Sequence, residues 1–107
     1  MTVRYKNAKL DLTTTNATDI VTIANATTAV IKSILVSEDS GNADTITLTL
    51  TDSASAIFSL FKVKAVSANT TVELLTAPMV LAESEKITAQ AATANRLHVV
   101  VSYMEIS

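Results

Sequence analysis

Few side chains in this 107-residue chain can do covalent or acid–base chemistry, and the complete absence of cysteine removes thiolates and disulfides at the outset. His98 is the single histidine, inside the apolar run "RLHVVV". A nucleophilic triad or a zinc site would have to recruit its partners from distant segments, so His98 reads as structural. "EDSGNAD" gathers Glu38, Asp39, Asn42 and Asp44 around Gly41. Such an oxygen-rich loop can hold calcium, but this one lacks the ligand spacing and closing glutamate of an EF-hand loop, so it reads as an acidic turn with cation binding left open. Glu83 and Glu85 in "LAESEK" form the nearest thing to a glycosidase carboxylate pair. They flank one serine in a turn, and only 4% of the chain is aromatic, so no sugar platform stands beside them. With one glycine in all, no glycine-rich phosphate loop can form. No catalytic, metal or cofactor residue is nominated, and the chain reads as a non-enzyme that uses no cofactor.

What remains is a chain built for surfaces. Hydrophobic residues make up 49% and charged residues 17%, against roughly 25% charged in an ordinary soluble domain. So little charge leaves neutral surface, which favours association. The net charge of −2 gives no reason to expect nucleic acid or an acidic membrane as partner. The N-terminus "MTVRYKNAKL" has no apolar run of signal-peptide length, and nowhere do about 18 apolar residues follow one another. Synthesis in the cytoplasm is the expectation, and the N-x-[ST] triplets at Asn16, Asn25 and Asn69 then read as turns.

Threonine, valine and isoleucine supply 17, 11 and 8 residues, a third of the chain, and β-branched side chains suit strands. Breaks recur every eight to twelve residues or so, and no capped 3.6-residue pattern appears. Strands are expected near 3–13, 19–24, 29–37, 45–51, 57–66, 71–75, 79–81, 86–91 and 97–106. Gly41 is expected at positive φ in the longest turn, and Pro78 at a strand start or edge. The fold class is all-β: one domain over residues 1–107, an antiparallel sandwich of about eight or nine short strands, jelly-roll-like. Residues 1–12 form either an N-terminal arm or an edge strand. Arg4, Tyr5 and Lys6 would be the arm's partner-binding residues.

"DTITLTLTD" alternates Ile46, Leu48 and Leu50 with Thr45, Thr47, Thr49 and Thr51, one oily face and one threonine face, with Asp44 and Asp52 as charged gatekeepers against edge aggregation. Three other strands are apolar on both faces. Strict alternation sets Leu97, Val99, Val101 and Tyr103 against Val100, Met104 and Ile106. It sets Ile57, Phe61 and Val63 against Phe58 and Leu60, and Val30, Ile34 and Val36 against Ile31 and Leu35. A sandwich buries one face of each sheet, so the surplus needs a cover, and another subunit is the simplest one. Phe58, Leu60, Val100 and Met104 are the expected interface residues.

Ile31–Ile34 (I-K-S-I), Ser40–Gly41, the alternating strand 45–51, Ala68–Thr70 (A-N-T) before Glu73, and the closing Tyr103–Ile106 (Y-x-E-I) together resemble a family of small virion proteins of tailed bacteriophages. The resemblance covers residues 27–107. It departs at Glu83-Ser84-Glu85, where the family often has A-G-D. It implies a structural virion role: a capsid decoration (cement) protein, or a neck, collar or tail component. From it follow the expected partners, a homo-oligomer (a trimer) and the major capsid protein or another virion protein, without nucleic acid or membrane. A receptor- or carbohydrate-binding module on a fibre or spike is the alternative of a different class, disfavoured by the lack of tryptophan.

Overall fold

A computed structural model describes all 107 residues, and it contains nine strands and no helix. They are β1 (Val3–Asp11), β2 (Thr18–Thr22), β3 (Thr28–Glu38), β4 (Asp44–Thr51), β5 (Ile57–Val66), β6 (Thr71–Glu73), β7 (Met79–Leu81), β8 (Lys86–Ala91) and β9 (Leu97–Ile106). One sheet runs β1-β9-β3-β6, with β7 also paired to β3; the other runs β2-β8-β4-β5. Every pairing is antiparallel. The pairs nest: β4 with β5, β3 with β6 and β7, β2 with β8, β1 with β9. A long hairpin folded over in that way is a jelly roll.

The alternating strands build the core as their period requires. Ile46 and Leu48 of β4, Ile87 and Ala89 of β8, and Leu97, Val99 and Val101 of β9 are buried between the sheets. With Ile31, Ile34, Val36, Leu81 and others they form one cluster of 18 buried apolar residues. At roughly 25 cal/mol per Å² of apolar area removed from water, this cluster is the main stabilising term. Gly41 takes φ +84° in the β3–β4 turn, as expected, and Pro78 directly precedes β7.

Two strands depart from strict alternation, and a bulge explains each. In β3 the register against β9 shifts between Ile31 and Ser33, with Lys32 the extra residue. Ala29, Ile31, Ile34 and Val36 therefore all face the core, while Val30 and Leu35 face outward. The expected grouping of Val30 with Ile34 and Val36 is corrected. In β5 two shifts against β4 set Phe58 opposite Leu50 and Phe61 opposite Leu48. Directly paired residues share a face, so Phe58 and Phe61 lie on the same side and not on opposite sides.

Residues 1–12 do not project as an arm. β1 pairs with β9 from Val3↔Ile106 to Asp11↔His98, and Thr2 and Ser107 exchange backbone hydrogen bonds beyond it. It is an edge strand with one open side. Residues Val3 to Asn7 are exposed on both of its faces, so this end of the five-stranded sheet reaches beyond the cover of its partner sheet.

Candidate functional site

Most of the residues able to do chemistry are consumed by the fold. Glu38, the last residue of β3, is only 1% exposed. Its carboxylate accepts from the amides of Ser40 (2.9 Å), Gly41 (3.1 Å), Asn42 (3.2 Å) and Asn69 (3.2 Å), and from the Ser40 hydroxyl. Burial pushes this carboxyl up, but the Ser40 hydroxyl and the amides of Ser40, Asn69 and Gly41 outweigh it and hold it at about 2. The acidic loop is thus wound around its own anion, with N–H groups aimed inward where a calcium site would aim oxygens. Asp44 is buried and accepts from the Thr93 amide at 3.1 Å. Asp52 Oδ1 accepts from the amides of Ala54 and Ala56, both at 2.9 Å. Asp52 closes its own turn and Asp44 ties the start of β4 to the β8–β9 connection, so neither is a charged guard on a strand edge, a correction to the sequence reading.

Glu83 and Glu85 are likewise turn residues. Glu83 accepts from the Ala26 amide at 2.7 Å, and Glu85 accepts from the Ala82 amide at 2.7 Å. Glu73 of β6 accepts from the Ser33 hydroxyl and the amides of Ile34 (2.8 Å) and Leu75 (3.3 Å), which satisfies the backbone at the β3 bulge. Its burial works against ionisation, yet those donors hold its carboxyl below the usual range. His98 lies on the outer face of its sheet, Nε2 3.3 Å from Asp11 Oδ1 and Nδ1 3.7 Å from Asp39 Oδ2. No three His, Cys, Asp or Glu side chains gather in a way that could hold a metal ion.

The threonine face of β4 is the floor of a shallow open groove of about 630 Å³. Thr49 and Thr51 share it with Thr88 and Lys86 of β8 and with Asp19 of β2, which binds Lys86 (3.3 Å) and the Thr88 hydroxyl (3.0 Å). Asp19 and Lys86 are already paired with each other, Asp52 is held by the amides of its own turn, and the Thr88 hydroxyl is taken by Asp19.

The apolar surplus is concentrated elsewhere, in two separate groups. Registers across the five-stranded sheet set Tyr5↔Met104, Met104↔Val30 and Val30↔Val80, one outward-facing row over four strands. Val3↔Ile106 lies beside it on the same face, and Val100↔Leu35 lies further along. Tyr5 is 79% exposed and Val80 62%. The second group lies on β5, where Ile57 (69%), Phe58 (54%) and Val63 (61%) stand in solvent. Val63 is β-branched and sits at φ +52°, a strained conformation held within the bulged strand, its amide donating to Thr47 Oγ1 at 3.1 Å.

Of the four expected interface residues, Val100 and Met104 therefore share one face, and Phe58 lies on the other group. Leu60 is half-buried and packs against the core beside Phe61, which the bulge turns to the same side. The three arm residues separate. Tyr5 joins the outer row, Lys6 pairs with Glu105 at 2.9 Å, and Arg4 lies opposite Glu105 in the ladder. The Glu105 hydrogen bond and charge raise the Lys6 pKa. Alternation missed Val30 because of the Lys32 bulge. It missed Val80 because a three-residue strand is too short to show a period, although Val80 between Met79 and Leu81 does have the opposite parity.

No family model matches the sequence, and no curated protein matches it. Among solved structures, a Bacillus endospore appendage described as forming a novel family of disulfide-linked pili has a similar fold, with a TM-score of 0.58. The two are 11% identical, and the likeness covers 99% of this chain and 88% of that one. At that identity the fold is what is shared. Lacking cysteine, this chain cannot make a disulfide link of any kind.

Proposed function

We propose that this protein is a non-enzymatic structural subunit of a tailed-bacteriophage virion. It is made in the host cytoplasm, self-associates as a trimer, and binds the capsid surface, the major capsid protein, as a decoration (cement) protein. The observation that carries this reading is the outward row Tyr5–Met104–Val30–Val80 together with the exposed side chains of β5. A single copy leaves both uncovered, although its 18-residue core is complete. Contiguous exposed apolar surface on a small domain marks a contact site. Covering about 800 Å² on each partner would give an interface of standard size. The carboxylates support the same reading, since each one that looks chemical in sequence serves a turn or a bulge. The motifs 31–34, 68–70 and 103–106, which carry the virion resemblance, fall in β3, in the loop before β6 and in β9.

The test is the copy number in purified particles, by quantitative mass spectrometry. Hundreds of copies per particle support cement, and about six to twelve place the protein instead at the neck or tail, where rings of matched symmetry occur. Absence from particles overturns the virion role. The fold shared with a pilus subunit over nearly the whole chain favours one second reading, a subunit of a fibrous appendage joined without disulfides. Electron microscopy of the purified chain separates the two: closed rings belong to the first, long fibres to the second.

A further inference from the structure

The exposed large hydrophobics divide between two places that do not face the same way. Val3, Tyr5, Leu35 and Val80 lie on the outer side of the five-stranded sheet, and Ile57, Phe58 and Val63 lie on the free edge of the four-stranded sheet. Charge divides in the same manner. β5 carries Lys62 and Lys64 and no acid, and neither lysine has a carboxylate within 4.0 Å. The outer face ends in Asp11 and Asp39 beside His98, and each of these aspartates is well exposed. Lys9 is the one cation of β1 on that face.

Resting on the self-association above, we propose that copies join head to tail: the β5 edge of one copy seats on the outer face of the five-stranded sheet of the next. The edge presents both sides of β5: Phe58, opposite Leu50, covers the Tyr5–Val80 row from one side, Ile57, opposite Thr51, flanks it from the other, and Lys62 and Lys64 reach Asp11 and Asp39. Tyr5 and Asp11 are six residues apart along β1, about 20 Å at 3.3 Å per residue. Phe58 and Lys64 lie opposite Leu50 and Ile46 of β4, four residues apart, so they share a face and stand about 13 Å apart, and the long lysine side chain spans the remainder. A two-fold contact of β5 with its own copy would run antiparallel and set Lys64 on the partner's Phe58, burying an ammonium against a ring that should be covered. The heterologous contact avoids this and pairs unlike charges. Because the two surfaces differ, each added copy presents a fresh one. The assembly closes only where the rotation between neighbours returns on itself, at three copies in the ring proposed above.

The test uses variants that disable one surface each, Tyr5→Arg and Phe58→Arg, with Ile57→Arg as a second, more exposed substitution on β5. Sedimentation equilibrium gives the mass, and a thermal melt confirms that each folds. The expected result is a wild type several times 11.3 kDa, either variant alone at the single-chain mass, and an equimolar mixture of the two at twice that mass and no larger. In the mixture, the intact β5 of one meets the intact outer face of the other. Swapping Lys62 and Lys64 to Glu should likewise weaken assembly, and Asp11→Lys with Asp39→Lys in the same chain should restore it. The head-to-tail contact is overturned if a single-surface variant still assembles or if the mixture stays at the single-chain mass while the wild type assembles; self-association itself then survives. A wild type that is monomeric overturns both.

Discussion

Glu38 shows how a side chain that looks chemical in sequence becomes a structural anchor. Its carboxyl is held at about 2, against an ordinary value of 4.5. A depressed folded-state pKa contributes stability that is fully present above the unfolded value and is lost as pH falls from near 4.5 toward 2. The wild type should therefore melt at progressively lower temperature over that window. Glu38→Gln should melt below wild type at neutral pH, with the gap narrowing as pH drops; a gap that does not change with pH would show that the ionised carboxylate is not what holds the loop. Ser84 offers a second test. It takes φ +64°, in the left-handed region that favours glycine. Left-handed backbone costs a side-chain-bearing residue about 1–2 kcal/mol, and glycine gives back part of that through greater freedom when unfolded. Ser84→Gly should raise stability by about 0.5–1 kcal/mol in a denaturant titration, and no gain would mean that the turn is not strained.

At the scale of elements, one inserted residue decides which side chains are core. Lys32 is the extra residue in β3, and it places Ile31 inside and Val30 outside. Deleting Lys32 removes the shift, so either Ala29 and Ile31 leave the core or the pairing with β7 breaks. A loss of about 3 kcal/mol or more is expected by denaturant titration, in line with removing one fully buried isoleucine. The strand β5 provides the converse case. Val63→Gly releases positive-φ strain of about 1–3 kcal/mol and deletes an exposed isopropyl group. The variant should be more stable as a single chain yet associate more weakly, and stability and association moving together would contradict that. These bulges also mark how far the sequence could be read. Nine strands were legible because β-branched residues and turn residues alternate at sheet spacing, and β5, β7, β8 and β9 have the bounds that their patterns suggest. The faces of β3 and β5 were not legible, because an extra residue reverses parity without any change in composition. The roles of Asp44 and Asp52 were equally hidden, since a partner such as Thr93 lies 49 residues away in the chain. For the candidate site, Met104 and Val100 could be picked out from a two-faced apolar strand, but their neighbours Tyr5, Val30 and Val80 are set beside them only by sheet register.

For the whole molecule, the jelly roll closes its core with 18 apolar residues and leaves two apolar surfaces outside it, on a body 44 Å long and about half as wide. Both surfaces are built from side chains that stand in solvent in a single copy, Tyr5, Val80 and Ile57 largely and Phe58 by about half. The proposed association accounts for why those side chains are apolar. Sedimentation equilibrium of the purified chain over a wide concentration range tests this most directly. The account predicts a mass several times 11.3 kDa that falls to the single-chain value when Tyr5 and Phe58 are both replaced by arginine. A wild type that stays at 11.3 kDa up to the highest attainable concentration would contradict it.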